Sequence, residues 1–316
     1  MIGEKCQQYD RHADGNLHKR CSFCPQIKLK VDVFSSLHVF CSTMAAVLNN
    51  EKTETSGYKH LFGPVRSRRL GISLGVNMAP FKTCSLDCVY CECGATTVLT
   101  TERREYIPTY SIIAELDHYL GANPKLDYVT FGGSGEPTLH SGLGKIIRHL
   151  KKNYPQKKLA LLTNSTLLYD SKLREDIVQC DLIVPSLDAV SDDVFYKINK
   201  PEKSLNCASI IKNLIDLSKE FKGQIWLEIF ILPRVNDTDK ETALFKEAAT
   251  AINPDRVQLN SLDRPGTCSD VAVPSRVRLE EIARKLAPLP VEIVSRNAKN
   301  SSTECPRRGG SGKGKE

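Results

Sequence analysis

Cys84, Cys88 and Cys91 lie four and three residues apart, with Tyr90 just before the last. Soft thiolates at this spacing can hold three corners of a 4Fe–4S cluster, or contribute to a zinc site. Cys93 follows Cys91 by two residues, too close in the chain to reach a different corner without strain. A cluster held by three cysteines keeps one iron open, and an open metal position is where chemistry happens. On the residues alone, a zinc knuckle and a loop of free thiols stay open beside the cluster.

Such a loop needs elements to aim it. Residues 72–76 alternate apolar and small and predict a strand leading directly into the cysteines. Downstream, strands are expected at 127–131, 158–163, 182–187, 224–232 and 256–261, with helices between them at 110–120, 143–154, 171–178, 204–221 and 237–252. Ser171 is the expected N-cap of its helix, and Pro185 marks the C-terminal end of a strand. A further helix at 277–286 precedes an edge strand at 291–295. Near-continuous apolar strands alternating with amphipathic helices predict a parallel sheet with helices outside. Counting from residue 72, there are six strand–helix units. Residues 62–71, with Arg66, Arg68 and Arg69, read as a loop.

Three polar segments fall where strands end. Phe131-Gly132-Gly133-Ser134-Gly135-Glu136-Pro137 is a glycine-rich turn whose backbone can approach a ligand, with Glu136 as an acceptor. Thr163-Asn164-Ser165 and Ser186-Leu187-Asp188-Ala189 offer short polar side chains, which serve equally as caps and turn residues. Glu228, on an apolar strand, either faces the lumen and a substrate or pairs with a basic neighbour.

The Cys-x3-Cys-x2-Cys spacing with its aromatic residue resembles the radical S-adenosylmethionine superfamily. The resemblance covers about residues 58–297 and implies a (β/α)6 partial TIM barrel with short terminal extensions. It implies Cys84, Cys88 and Cys91 as ligands of a 4Fe–4S cluster, and S-adenosylmethionine as the second cofactor. The glycine turn is similar to the family's glycine–glycine–glutamate motif, with Ser134 as a departure. Gly133, Gly135, Glu136, Asn164, Ser186 and Asp188 are thereby implied to hold S-adenosylmethionine, and Tyr90 to lie near its adenine. The fifth strand ends in Pro233-Arg234-Val235, where Arg234 takes the place of the family's usual glycine. Cleavage of S-adenosylmethionine to a 5'-deoxyadenosyl radical and hydrogen abstraction from a substrate are the implied activity. An electron donor such as flavodoxin or ferredoxin is the implied partner. The layout, including residues 63–71 and 263–266, resembles a group loosely related to wyosine-tRNA synthetases, although Glu92-Cys93 replace their Trp-Arg.

The substrate stays open between a tRNA base, favoured by Arg66, Arg68, Arg69, Arg103 and Arg104, and a protein, as for an activase of a glycyl-radical enzyme. A non-catalytic zinc-binding interaction module is the third reading. A net charge of +7 over 316 residues permits a nucleic-acid partner without requiring one. Apolar content of 41% and charged content of 26% are those of a globular chain, and the absence of a long apolar run predicts no membrane span. Twelve cysteines with no secretory leader predict a reducing, cytoplasmic setting. The expected division is an irregular extension at 1–56, a core at 57–296 and a polar, disordered tail at 297–316. Cys21 and Cys24 in the extension could form half a zinc site, or the stretch precedes a natural start at Met44.

Overall fold

A computed structural model describes Thr55, 57–263, 266–268 and 271–294. The chain divides into two units, Met1–Lys52 and Thr53–Glu316. Cys6, Cys21, Cys24 and Cys41, the polar lead-in at 49–54 and the tail at 297–316 lie outside the described residues.

One eight-stranded sheet organises the second unit, in the order β1-β2-β5-β6-β7-β8-β9-β10. Its strands are β1 (Leu61–Ser67), β2 (Gly71–Val76), β5 (Tyr128–Phe131), β6 (Lys158–Thr163), β7 (Leu182–Pro185), β8 (Gln224–Phe230), β9 (Arg256–Asn260) and β10 (Val291–Ile293). From β2 to β10 all neighbours are parallel, while β1 runs antiparallel on β2. The helices between them are α1 (Thr109–Gly121), α2 (Leu143–Asn153), α3 (Ser171–Ile177), α4 (Asp192–Ile198), α5 (Cys207–Glu220), α6 (Asp239–Ile252) and α7 (Arg276–Leu286). The six expected units are present, and β10 is an edge strand that extends the parallel run. This is the partial-barrel form of a mixed α/β fold.

Two apolar cores follow from the strand period of two. Outward-facing residues such as Leu74, Val129, Leu159, Leu161 and Ile183 join the helix faces in one large cluster. In α2, Leu143, Ile146, Ile147 and Leu150 supply that face at helical spacing. Inward-facing Ala160, Leu182, Val184 and Trp226, with Leu70, form a separate plug in the lumen.

The structure corrects two expectations. Residues 61–67 are a strand, not a loop: the register shifts between Phe62 and Val65, which absorbs Gly63-Pro64 as a bulge at the sheet edge. Asp170, not Ser171, caps α3, because its carboxylate accepts from the Lys172 and Leu173 amides. The short helix α4 was not expected at all.

Candidate active site

Between β2 and α1 the chain forms the cysteine loop. It begins in β3 (Thr83–Cys84), which pairs with β4 (Val98–Leu99) in a small parallel ribbon. Three segments distant in sequence grip it. From the glycine turn, the Glu136 amide donates to the Thr83 carbonyl, and the Ser134 carbonyl accepts from the Lys82 amide. After α4, the carbonyls of Ile198 and Asn199 accept from the Val89 and Asp87 amides, both at 2.9 Å. From the loop after β9, Thr267 Oγ1 donates to the Cys88 and Cys91 carbonyls at 3.3 and 3.2 Å.

Each of the three sulfurs faces a nitrogen donor from a different place. Asn164 Nδ2 lies 3.4 Å from Cys84 Sγ, Asn199 Nδ2 lies 3.3 Å from Cys88 Sγ, and Lys82 Nζ lies 3.0 Å from Cys91 Sγ. Donors of this kind favour sulfur that carries negative charge. Burial pushes the Cys84 thiol up to about 11, helped by the Glu136 carboxylate, and pushes Cys88 well above the thiol range. Hydrogen bonding from Cys93, together with the Lys82 ammonium, lowers Cys91, while the same contact raises Cys93. Deprotonating the two buried thiols therefore needs added positive charge, which a metal group would supply if they held one. Among the described residues, no three His, Cys, Asp or Glu side chains converge as ligands of a single ion.

The glycine turn leaves β5 beside these sulfurs. Gly133 has φ of +146°, and a Cβ there would fall 2.2 Å from Asn77 Oδ1. At Gly135 a Cβ would fall 2.4 Å from the Thr83 carbonyl oxygen. Only glycine lets this turn lie so close to the chain leading into Cys84. The Glu136 carboxylate turns inward. It accepts from the Thr138 amide and hydroxyl, from Thr163 Oγ1 at 2.7 Å and from the Asn164 amide at 2.8 Å. Burial raises its pKa against those bonds. Glu136 thus ties the ends of β5 and β6 together.

Asn164 joins this network to the cysteine loop, since its Nδ2 also donates to Ser85 Oγ at 2.9 Å. Asp188 is buried and accepts from Tyr90 Oη, Asn199 Nδ2 and the Phe230 amide. Burial nevertheless raises its pKa to about 6. The Tyr90 ring stacks on Phe230 with centroids 3.8 Å apart. Ser186 is half-buried at the end of β7, bridged to Glu228 on β8. Arg234 has φ of +64°, so it adopts the left-handed conformation usual for the glycine it replaces.

The Glu228 alternative resolves toward pairing. Its carboxylate meets the Arg69 guanidinium and accepts from Asn260 Nδ2 at 2.9 Å. Burial is the largest influence and opposes ionisation, but Arg69, Asn260 and Arg68 together outweigh it and hold Glu228 below the usual range. Arg68 pairs with Asp263, and Arg103 with Asp170 at 2.5 Å. Three of the five arginines that favoured RNA are thus engaged by carboxylates. Lys82 and Asn199 escaped the sequence reading, because no motif marks either and Asn199 lies 111 residues from Cys88.

The model of the radical SAM superfamily matches residues 78–245. A UPF0026 protein of Methanocaldococcus jannaschii is 36% identical over 239 residues, covering 75% of this chain and 72% of that protein. A protein of Brachyspira hyodysenteriae named GTPase Obg is 40% identical over 219 residues, 69% of this chain. The chain spans only 32% of that protein's length. A radical SAM methyltransferase from Sphaerobacter thermophilus superposes with a TM-score of 0.55 at 17% identity, over 71% of this chain and 66% of that one. That likeness concerns the fold. Among the described residues no helix is long and apolar enough to cross a membrane.

Proposed function

The chain belongs to the radical SAM superfamily and is a radical SAM enzyme, and we propose that Cys84, Cys88 and Cys91 hold its 4Fe–4S cluster. The observation that carries this reading is the matched set of donors, one N–H to each of those three sulfurs. When bound, the cluster supplies the electron that cleaves S-adenosylmethionine to methionine and a 5'-deoxyadenosyl radical.

In this reading Gly133 and Gly135 bring backbone polar atoms to the methionine end of S-adenosylmethionine, and Glu136 braces the turn. Asn164, Ser186 and Asp188 line the strand ends beside it, with Tyr90 stacked on Phe230 as an aromatic wall. Hydrogen abstraction from a bound substrate then takes place at the C-terminal end of the barrel. The electron comes from a low-potential donor such as a flavodoxin or ferredoxin.

Anaerobic reconstitution with iron and sulfide, then reduction with S-adenosylmethionine, tests the reading. Release of 5'-deoxyadenosine is expected from the wild type and from Cys93→Ala, and not from Cys84→Ala, Cys88→Ala or Cys91→Ala. Release that persists in the latter three refutes it. For the substrate we put forward a tRNA base, supported by Arg104, which is exposed and lies 4.6 Å from the Tyr106 ring centroid. Binding of tRNA that falls steeply with salt, and weakens in Arg104→Glu, is expected. A flat salt response removes RNA and leaves a protein substrate.

A further inference from the structure

Lys82 places a cation beside these sulfurs, and nothing in the cysteine motif calls for it. The residue is 2% exposed, yet its Nζ lies 3.0 Å from Cys91 Sγ. Burying an ammonium is unfavourable unless it is paired. Its backbone is held in the left-handed region at φ of +53°, an uncommon conformation for lysine. Both of its peptide groups are used to hold it there. The Lys82 amide donates to the Ser134 carbonyl, and its own carbonyl accepts from the Thr97 and Val98 amides. The glycine turn and β4 therefore fix the lysine from opposite sides. The other two sulfurs receive uncharged amide donors, from Asn164 and Asn199. The charge is thus concentrated at Cys91.

We propose that Lys82 is a positioning residue that acts through Cys91, its fixed positive charge stabilising the electron-rich form of the cluster and raising the reduction potential. The inference rests on the assignment of Cys91 as a ligand. The step concerned is addition of one electron to the bound cluster, delivered by a low-potential one-electron donor; no bond forms or breaks. Positive charge next to a ligand sulfur stabilises the added negative charge, as hydrogen bonds to cluster sulfurs do. Lys82 differs from Asn164 and Asn199 in supplying a full charge, which acts over a longer range than an amide dipole.

The test is a redox titration of anaerobically reconstituted protein, without S-adenosylmethionine, followed by electron paramagnetic resonance. Lys82→Gln, which keeps an N–H donor but loses the charge, and Lys82→Met, which loses both, are expected to make reduction at least tenfold less favourable. For one electron that is a downward shift of about 59 mV or more. Lys82→Arg should stay near the wild type. If the Gln and Met variants fail to retain iron while Arg retains it, the charge serves to hold the cluster and not to set its potential, and the proposal is overturned. A potential unchanged in Lys82→Gln overturns it, as does loss of iron from Lys82→Arg in a protein of native circular dichroism. Failure of this inference is distinguishable from failure of the ligand assignment. In the first case the wild type still loads a cluster that Cys91→Ala loses; in the second, Cys91→Ala still loads one.

Discussion

Replacing Glu228 with alanine separates a structural carboxylate from one kept free for a substrate. In the wild type Arg69 and Glu228 are paired inside the barrel, with side chains 19% and 14% exposed. Removing the carboxylate leaves the guanidinium largely buried, with Gln258 Oε1 at 3.4 Å as its remaining neighbour there. Breaking a buried pair in this way costs about 3–5 kcal/mol, and partial exposure argues for the lower end. At roughly 2–4 °C per kcal/mol for a domain of this size, the melting temperature should fall by about 6–12 °C. Trp226 is the only tryptophan and is lodged in the lumen two residues from Glu228, so its fluorescence reports unfolding from inside the barrel. Urea titrations of the wild type, Arg69→Met, Glu228→Ala and the double variant complete a thermodynamic cycle. The double variant should lose less than the sum of the singles, with a coupling of roughly 2 kcal/mol or more. Because Glu228 is held below its usual range, the pair's contribution is present above about pH 4.3 and fades as pH falls through the lower folded value. A loss under about 1 kcal/mol in Glu228→Ala, with no coupling, would refute the pairing argument.

Asp188 has the opposite sign. Its folded value of about 6 lies above the unfolded value, so it binds a proton that the unfolded chain has released. Stability of the cluster-free protein should fall by roughly 2–3 kcal/mol as pH rises from about 4 to about 6, and Asp188→Asn should flatten that segment of the curve; equal slopes in both proteins would exclude Asp188 as its source. At Gly135, alanine would meet the Thr83 carbonyl oxygen, so iron content and S-adenosylmethionine binding should both drop, the latter more than tenfold by equilibrium dialysis. Unchanged binding would remove the turn from the cofactor site. Asp170→Ala removes the cap of α3 and one partner of Arg103 together, and should destabilise by about 2–3 kcal/mol in chemical denaturation, against under 0.5 kcal/mol if both contacts are solvated.

The parallel strands were legible because burial on both faces turns each into an unbroken apolar run, as in Leu182-Ile183-Val184. The cysteine loop was legible because its chemistry is local, contained within eight residues. What escaped was non-local. Gly63-Pro64 and three arginines make β1 look like a loop until β2 supplies its hydrogen bonds. Arg68, Arg69 and Arg103 read as a basic surface because Asp263, Glu228 and Asp170 lie far along the chain. Helix α4 spans seven residues, no fewer than α3, and was passed over between the expected strand at 182–187 and helix at 204–221. Asn199 lies just past its end and reaches Cys88 only through the fold.

The grip on the cysteine loop by residues 198–202 and 266–268 bears on how the protein matures. The three cysteines leave the ribosome long before the segments that shape their loop. Nascent chain that carries all three sulfurs still lacks Asn199 and Thr267, and so lacks the mould. On the proposed ligand assignment, iron delivery follows synthesis of the barrel.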